Sequence, residues 1–244
     1  MNTVQKRPNR IIRTIETLLS DKCFEFEKTF DSDGMAEWSL TTDDMCGCDI
    51  TVIPHDRENH YGFQIRPYVT NQWGDNIYFP STIHVDKEES ILSWFKQTFV
   101  YELYYVRSFR KITQNIPDMA KAAGFEGICL PSKVQHGQNE NGIEFVSEKF
   151  ELEGVFNGIR KKIDVAVNAF RGKIFVSTKA DGDWETISRD KDPAKALKKF
   201  QNRIERYLGQ YDPHPRYYLM LLQDPTSLGK KVELFPLKHT KSDH

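Results

Sequence analysis

The chain switches hydrophobic period twice, in the same direction each time. From Phe24 to Val85 apolar residues largely alternate with polar ones, the period of half-buried strands. From Leu92 onward they recur at helical spacing. From Ile143 to Ser188 the alternation returns, and from Leu197 the helical stripe follows again. Nearly the same phrase marks both junctions: Thr82-Ile83-His84-Val85-Asp86-Lys87 and Thr186-Ile187-Ser188-Arg189-Asp190-Lys191. After a one-residue adjustment Leu92, Phe95, Phe99 and Leu103 align with Leu197, Phe200, Ile204 and Leu208, each set along one helix face. A chain patterned this way predicts an α+β fold of two related halves, each an antiparallel sheet with a long helix across one face. The alternative is one continuous antiparallel sheet with helices on one face.

The organisation follows from punctuation. Ile11, Ile12, Ile15, Leu18 and Leu19 make a first helical stripe. Asp33-Gly34, Arg171-Gly172 and Asp181-Gly182 are hairpin signals, and Pro67 is expected to end its strand or push it to an edge. Asp86 with Glu89 reads as a capping box, and the crowded apolar residues from Trp94 to Ile112 predict a central helix contacted from several sides. Pro117 and Gly124 frame a short second helix; Asp192, Pro193 and Gly209 frame the helix 193–208. The polar segment 132–142 reads as a loop or linker between an acidic N-terminal half, 1–131, and a basic C-terminal half, 143–244. A last strand pair is expected over 217–222 and 231–237, before a polar tail. The order helix, antiparallel strands, helix resembles small α+β protein-binding folds such as those of secretion chaperones, through fold order and no motif.

Composition is that of a folded domain: 39% hydrophobic, 12% aromatic and 28% charged over 244 residues. No apolar run is long enough for a transmembrane helix. The first residues are basic without an apolar core or cleavage site, so secretion is not expected. Four cysteines in a chain of this size fit a reduced, cytoplasmic protein better than a disulfide scaffold. The net charge of −1 is unevenly spread: residues 1–120 carry 13 basic and 18 acidic side chains, and residues 121–244 carry 21 and 17.

Candidate chemistry is sparse. Cys46, Cys48, His55 and His60 offer two thiolates and two imidazoles, a weak zinc set. The Cys-x-Cys pair is unusual, and the alternation turns both sulfurs inward with Ile50 and Val52, so no metal is expected. Asp43, Asp44 and Asp49, with Asp31 and Asp33, could hold Mg²⁺, but most are residues that turns prefer. No nucleophile elbow, metalloprotease helix or glycine-rich phosphate loop occurs, so no cofactor is implied and no catalytic residue identified. Lys195, Lys198, Lys199, Arg203 and Arg206 lie on the polar face of the helix 193–208, and Arg160, Lys161 and Lys162 stand at a strand entrance. Together they form a candidate surface for nucleic acid or an acidic partner. The expected function is therefore a non-enzymatic interaction or adaptor protein that binds another macromolecule, a protein first, and no membrane. Nucleic-acid binding through the basic helix is the alternative. A hydrolase-like enzyme with a site assembled from dispersed residues comes third.

Overall fold

The computed structural model describes residues 10–21, 25–32, 35–42, 45–55, 60–71, 73–128, 133–156, 158–180, 182–209, 217–219 and 234–236. Helix α1 (Arg10–Asp21) precedes the strands β1 (Phe26–Ser32), β2 (Met35–Thr42), β3 (Cys46–Pro54), β4 (His60–Thr70), β5 (Asn76–Tyr78) and β6 (His84–Lys87). These six form the first antiparallel sheet, in which β1 to β4 run in chain order and β5 and β6 share the far edge of β4. Helix α2 (Glu88–Ala122) follows, then β7 (Gly127–Ile128), β8 (Lys133–Gln138), β9 (Glu144–Phe156), β10 (Ile159–Phe170), β11 (Lys173–Lys179) and β12 (Glu185–Ser188). These make the second sheet, in which β7 and β8 share one edge of β9 and the order then runs to β12. Helix α3 (Pro193–Leu208) packs on β12, and a short pair, β13 (Tyr217–Leu219) and β14 (Leu234–Pro236), forms a third sheet. The fold is thus α+β with two separate antiparallel sheets, and not one continuous sheet.

Strand alternation decides what each sheet buries. On the inner face of the first sheet Trp38 stands beside Ile50 and Ile65, Leu40 beside Cys48, and Val52 beside Phe63, all buried. α2 closes over them with Phe95 and Phe99, and its own 35 residues span about 52 Å. That length carries α2 from the first sheet to β10 and α3, so one apolar core runs through both sheets. The central, many-sided helix expected from its aromatics is what forms. Ala196, Phe200 and Ile204 bury the corresponding stripe of α3, while Leu197 is only half-buried.

Several expectations are corrected. Asp86 does not cap α2, because β6 continues to Lys87, which pairs with His60; the carboxylate accepts the neighbouring Lys87 N–H and lies 3.9 Å from His84 Nε2. α3 is capped by Asp192, which accepts from Ala194 N at 3.0 Å, while Asp190 lies upstream and binds Lys199. The repeated phrase therefore marks unlike positions. α2 also follows the shared edge of its sheet, whereas α3 follows the last strand of a simple meander.

Pro117 does not start a new helix. It lies inside α2, which loses one backbone hydrogen bond there and ends at Ala122, closed by Gly124 at φ +96°. Gly124 N–H donates to Lys121 O and Phe125 N–H to Ala120 O, a Schellman closure. Pro67 does not end β4. Phe79 N–H donates to Pro67 O, so the side of Pro67 lacking an N–H faces the gap between β5 and β6, where no ladder partner is missed. The segment 132–142 holds β8 and a tight turn, and β7, assigned by sequence to the first half, pairs with β9. Their mostly polar, short alternation hides them from the sequence. Of the last strand pair, residues 217–219 and 234–236 are seen to pair; the rest of both segments and the tail lie outside the described residues.

Candidate functional site

The outer face of the first sheet, opposite α2, is the most patterned surface of the molecule. The register aligns its outward residues in rows: Ile53, Gly62 and Val85; then Thr51 and Gln64; then Ser39, Asp49 and Arg66; then Thr41, Gly47, Tyr68 and Tyr78. A solvated sheet face is ordinarily polar. Here the first row is not: Ile53 and Val85 are 37% and 43% exposed, and Ile83, just ahead of β6, is 53% exposed. They form one patch, because a side chain on Gly62 would meet both Ile83 and Ile53.

Two rows away lies a charged network. Asp49, only 6% exposed, accepts from Ser39 Oγ at 2.9 Å and from Tyr78 Oη at 2.6 Å. Arg66 reaches Glu37 at 2.9 Å and Asp49 at 3.4 Å, with its guanidinium 5.1 Å from the Tyr78 ring centre. A buried carboxylate is tolerated only when paired and hydrogen-bonded, and Asp49 is both. Burial first, then the bond to Asp49, pushes the Tyr78 phenol up to about 12. The last row is sealed by Tyr68, which lies across Gly47 and donates to Leu40 O at 3.0 Å. A Cβ on Gly47 would stand 2.1 Å from Leu40 O and 2.4 Å from the Tyr68 hydroxyl, so this position must be glycine. The result is a rigid surface, apolar at one end and charged in the middle.

A second concavity, about 710 Å³, opens where the two sheets meet beside α2. Trp94, Thr98, Glu102 and Tyr105 of α2 form one wall; the β8–β9 turn and the β10–β11 tip, Arg171 and Gly172, form another. Tyr101 donates to Gly172 O at 3.1 Å and Tyr105 to Lys173 O at 3.2 Å, pinning the second sheet to the helix. Burial raises the carboxyl of Glu102 above its ordinary range and the thiol of Cys48 well above its own.

The residues singled out from sequence are not brought together. Cys46 and Cys48 are buried free thiols at the start of β3, on the inner face as expected. His55 and His60 lie at its far end, their backbones joined by a 3.0 Å hydrogen bond. Cys48 and His55 are seven residues apart along extended chain, about 23 Å, so the four cannot share one ion. Among the described residues no group of three or more His, Cys, Asp or Glu converges on a metal position. Asp31 pairs with Lys28, and Asp33, Asp43 and Asp44 lie outside the described residues.

The basic residues are split too. Alternation sends Arg160 and Lys162 to the outer face of β10, where they pair with Glu153 and Glu151, and sends Lys161 inward to Tyr207 O at 2.9 Å. On α3, Lys195 meets Asp192 at 3.9 Å, Lys199 meets Asp190 at 3.4 Å and Arg203 meets Glu185 at 3.2 Å. Lys198 and Arg206 are exposed. Sequence reasoning named Asp49 only as a possible metal ligand and missed its network. The parity of Ser39, Asp49 and Arg66 against the inward residues was the available signal, but joining the three requires the strand register.

No protein-family model matches the chain, and no curated protein matches it. Among the described residues no helix is long and apolar enough to cross a membrane, which leaves strand-built spans unaddressed.

Proposed function

We propose that this chain is a non-enzymatic interaction protein that binds another protein through the outer face of its first sheet. The observation behind this reading is the patch of Ile53, Ile83 and Val85, exposed on a sheet face that no described helix covers. Exposed apolar groups in one contiguous group, bordered by polar ones, are the usual mark of a protein contact. The rows beside them supply a fixed hydrogen-bonding pattern, Gln64 held to Ser81 and Arg66 held to Asp49 and Glu37. Such a surface needs little ordering on association. Catalysis draws less support, since the hydroxyls of Ser39, Tyr78, Tyr101 and Tyr105 are all committed to structural hydrogen bonds. Nucleic-acid binding draws less because most of the α3 cations are matched by carboxylates. Buried free thiols at Cys46 and Cys48 fit a reducing cytoplasm.

Photo-crosslinking in cells tests the reading. A benzophenone amino acid replaces Ile83 in one variant and Lys149, exposed on β9 of the second sheet, in another. Discrete protein adducts are expected from position 83, absent from position 149, and lost when Val85→Glu is added. Equal adducts at both positions, or none at 83, would remove the outer face as the contact surface.

A further inference from the structure

The cleft beside α2 is lined by residues of both sheets and holds a carboxylate that no described residue pairs with. Glu102 lies on its α2 wall, half-buried, and makes no ion pair or hydrogen bond with any described residue. The two tyrosines beside it are occupied: the hydroxyls of Tyr101 and Tyr105 hold the β10–β11 tip, and the Tyr101 ring carries Lys191 Nζ at 4.3 Å. The tip itself is forced into place. Arg171 and Gly172 both have positive φ, +48° and +67°, and a Cβ on Gly172 would stand 2.4 Å from the Tyr101 hydroxyl. An arginine in the left-handed region is uncommon, and it is held there at the rim of the cleft. A half-buried carboxylate loses hydration that only donors of opposite charge restore well. The lining carries two carboxylates, Glu102 and Glu144, and one guanidinium, Arg171, with the Lys191 ammonium held on the Tyr101 ring, so the half-buried Glu102, not a net charge, is what a cation would meet. Trp94, about two turns from Glu102 along α2, supplies apolar surface in the same cleft and is fixed by stacking on His84 at 4.9 Å.

We propose that this cleft binds an organic cation, a primary ammonium or guanidinium on an aliphatic stem, with Glu102 accepting its N–H groups and the stem running along the α2 wall toward Trp94. The proposal is independent of the outer-face reading: Glu102 is on α2, and Ile53, Ile83 and Val85 are on the opposite side of the first sheet. The same chemistry has two sources, a free small amine or a lysine or arginine side chain presented by a peptide.

Agmatine represents the first source and a blocked Gly-Arg-Gly tripeptide the second, with blocked Gly-Gln-Gly as the neutral control. Each is titrated into the full chain by calorimetry. Saturable, one-to-one binding of agmatine, of the arginine peptide or of both is expected, with none of the neutral peptide; which cation binds identifies the source. Glu102→Gln, nearly isosteric, should weaken that binding at least about tenfold, roughly the loss of one charge-assisted hydrogen bond. Lys149→Gln, on the exposed side of β9, should leave it unchanged. Absence of saturation with both cations, or equal binding by Glu102→Gln, would overturn the assignment. Should that variant unfold, Thr98→Leu, which crowds the same wall, is the second check, and undiminished binding there would equally count against the site.

Discussion

Tyr78 donates a 2.6 Å hydrogen bond to Asp49 across the intervening strand β4, closing a network that also takes in Ser39, Arg66 and Glu37. Four strands are thereby tied on their outer face by side chains whose spacing is correct in one register only. A shift of one residue would turn Asp49 into the apolar interior and Cys48 out of it. Ladder pairing alone does not choose between registers; a buried, fully paired carboxylate does, because the wrong register leaves it unpaired.

The phenol of Tyr78 makes that tie sensitive to pH. Its folded value, about 12, lies above the ordinary value near 10, so the folded chain holds the proton more tightly. The associated stability is complete below pH 10 and is lost as pH rises toward 12. Tyr78→Phe should therefore be less stable than the parent by about 1–2 kcal/mol at pH 8, the worth of one hydrogen bond to a charged acceptor discounted for partial exposure. The difference should shrink between pH 10 and 12. Urea midpoints of both proteins across that window provide the check, and a constant gap would show that the two groups are not coupled.

The architecture was legible where one physical signal dominated. Alternation placed Trp38, Ile50, Val52, Ile163 and Val165 inward, and the aromatics of α2 marked it as the central helix. Capping was legible at Asp192, where proline follows at the first helical position. It misled at Asp86, because the local preference of aspartate for a cap lost to strand pairing with β4 that carries on through Asp86 to Lys87. Pro117 misled in the opposite sense: a helix packed between two sheets outlasts the loss of one hydrogen bond. The outer-face network and the cleft were not legible. Asp49, Arg66 and Tyr78 are up to 29 positions apart in sequence, and Glu102 looks like any helical glutamate until the second sheet closes over it.

Phe99 tests how far the two halves share one core. Its ring is 4% exposed and packs on Phe95 at 5.2 Å between ring centres. Phe99→Ala should cost about 3–5 kcal/mol, transfer and cavity together. If the core is continuous, unfolding should stay a single transition with an unchanged slope in denaturant. Tryptophan fluorescence and far-ultraviolet circular dichroism, followed together through the melt, would separate into two midpoints were the halves independent.

The basic helix gives the sharpest contrast between two readings of one surface. A phosphate-binding helix releases counterions as it binds, and its affinity falls with salt in proportion to the phosphates it neutralises. Lys195, Lys199 and Arg203 already face Asp192, Asp190 and Glu185, and Lys161 is held by Tyr207. Arg160 and Lys162 point to the other side of the sheet, paired with Glu153 and Glu151. Lys198 and Arg206 are the cations of α3 outside these pairs, so a duplex would gain about two phosphate contacts and a log–log salt slope of only about −2. Binding to DNA or RNA should be negligible at physiological salt, and Lys198→Glu with Lys199→Glu should change nothing measurable. A gel-shift titration of the parent and the double variant at low and physiological salt decides it. Sub-micromolar affinity that the double variant abolishes would mean that the ion pairs open on contact, and that α3 is a nucleic-acid surface after all.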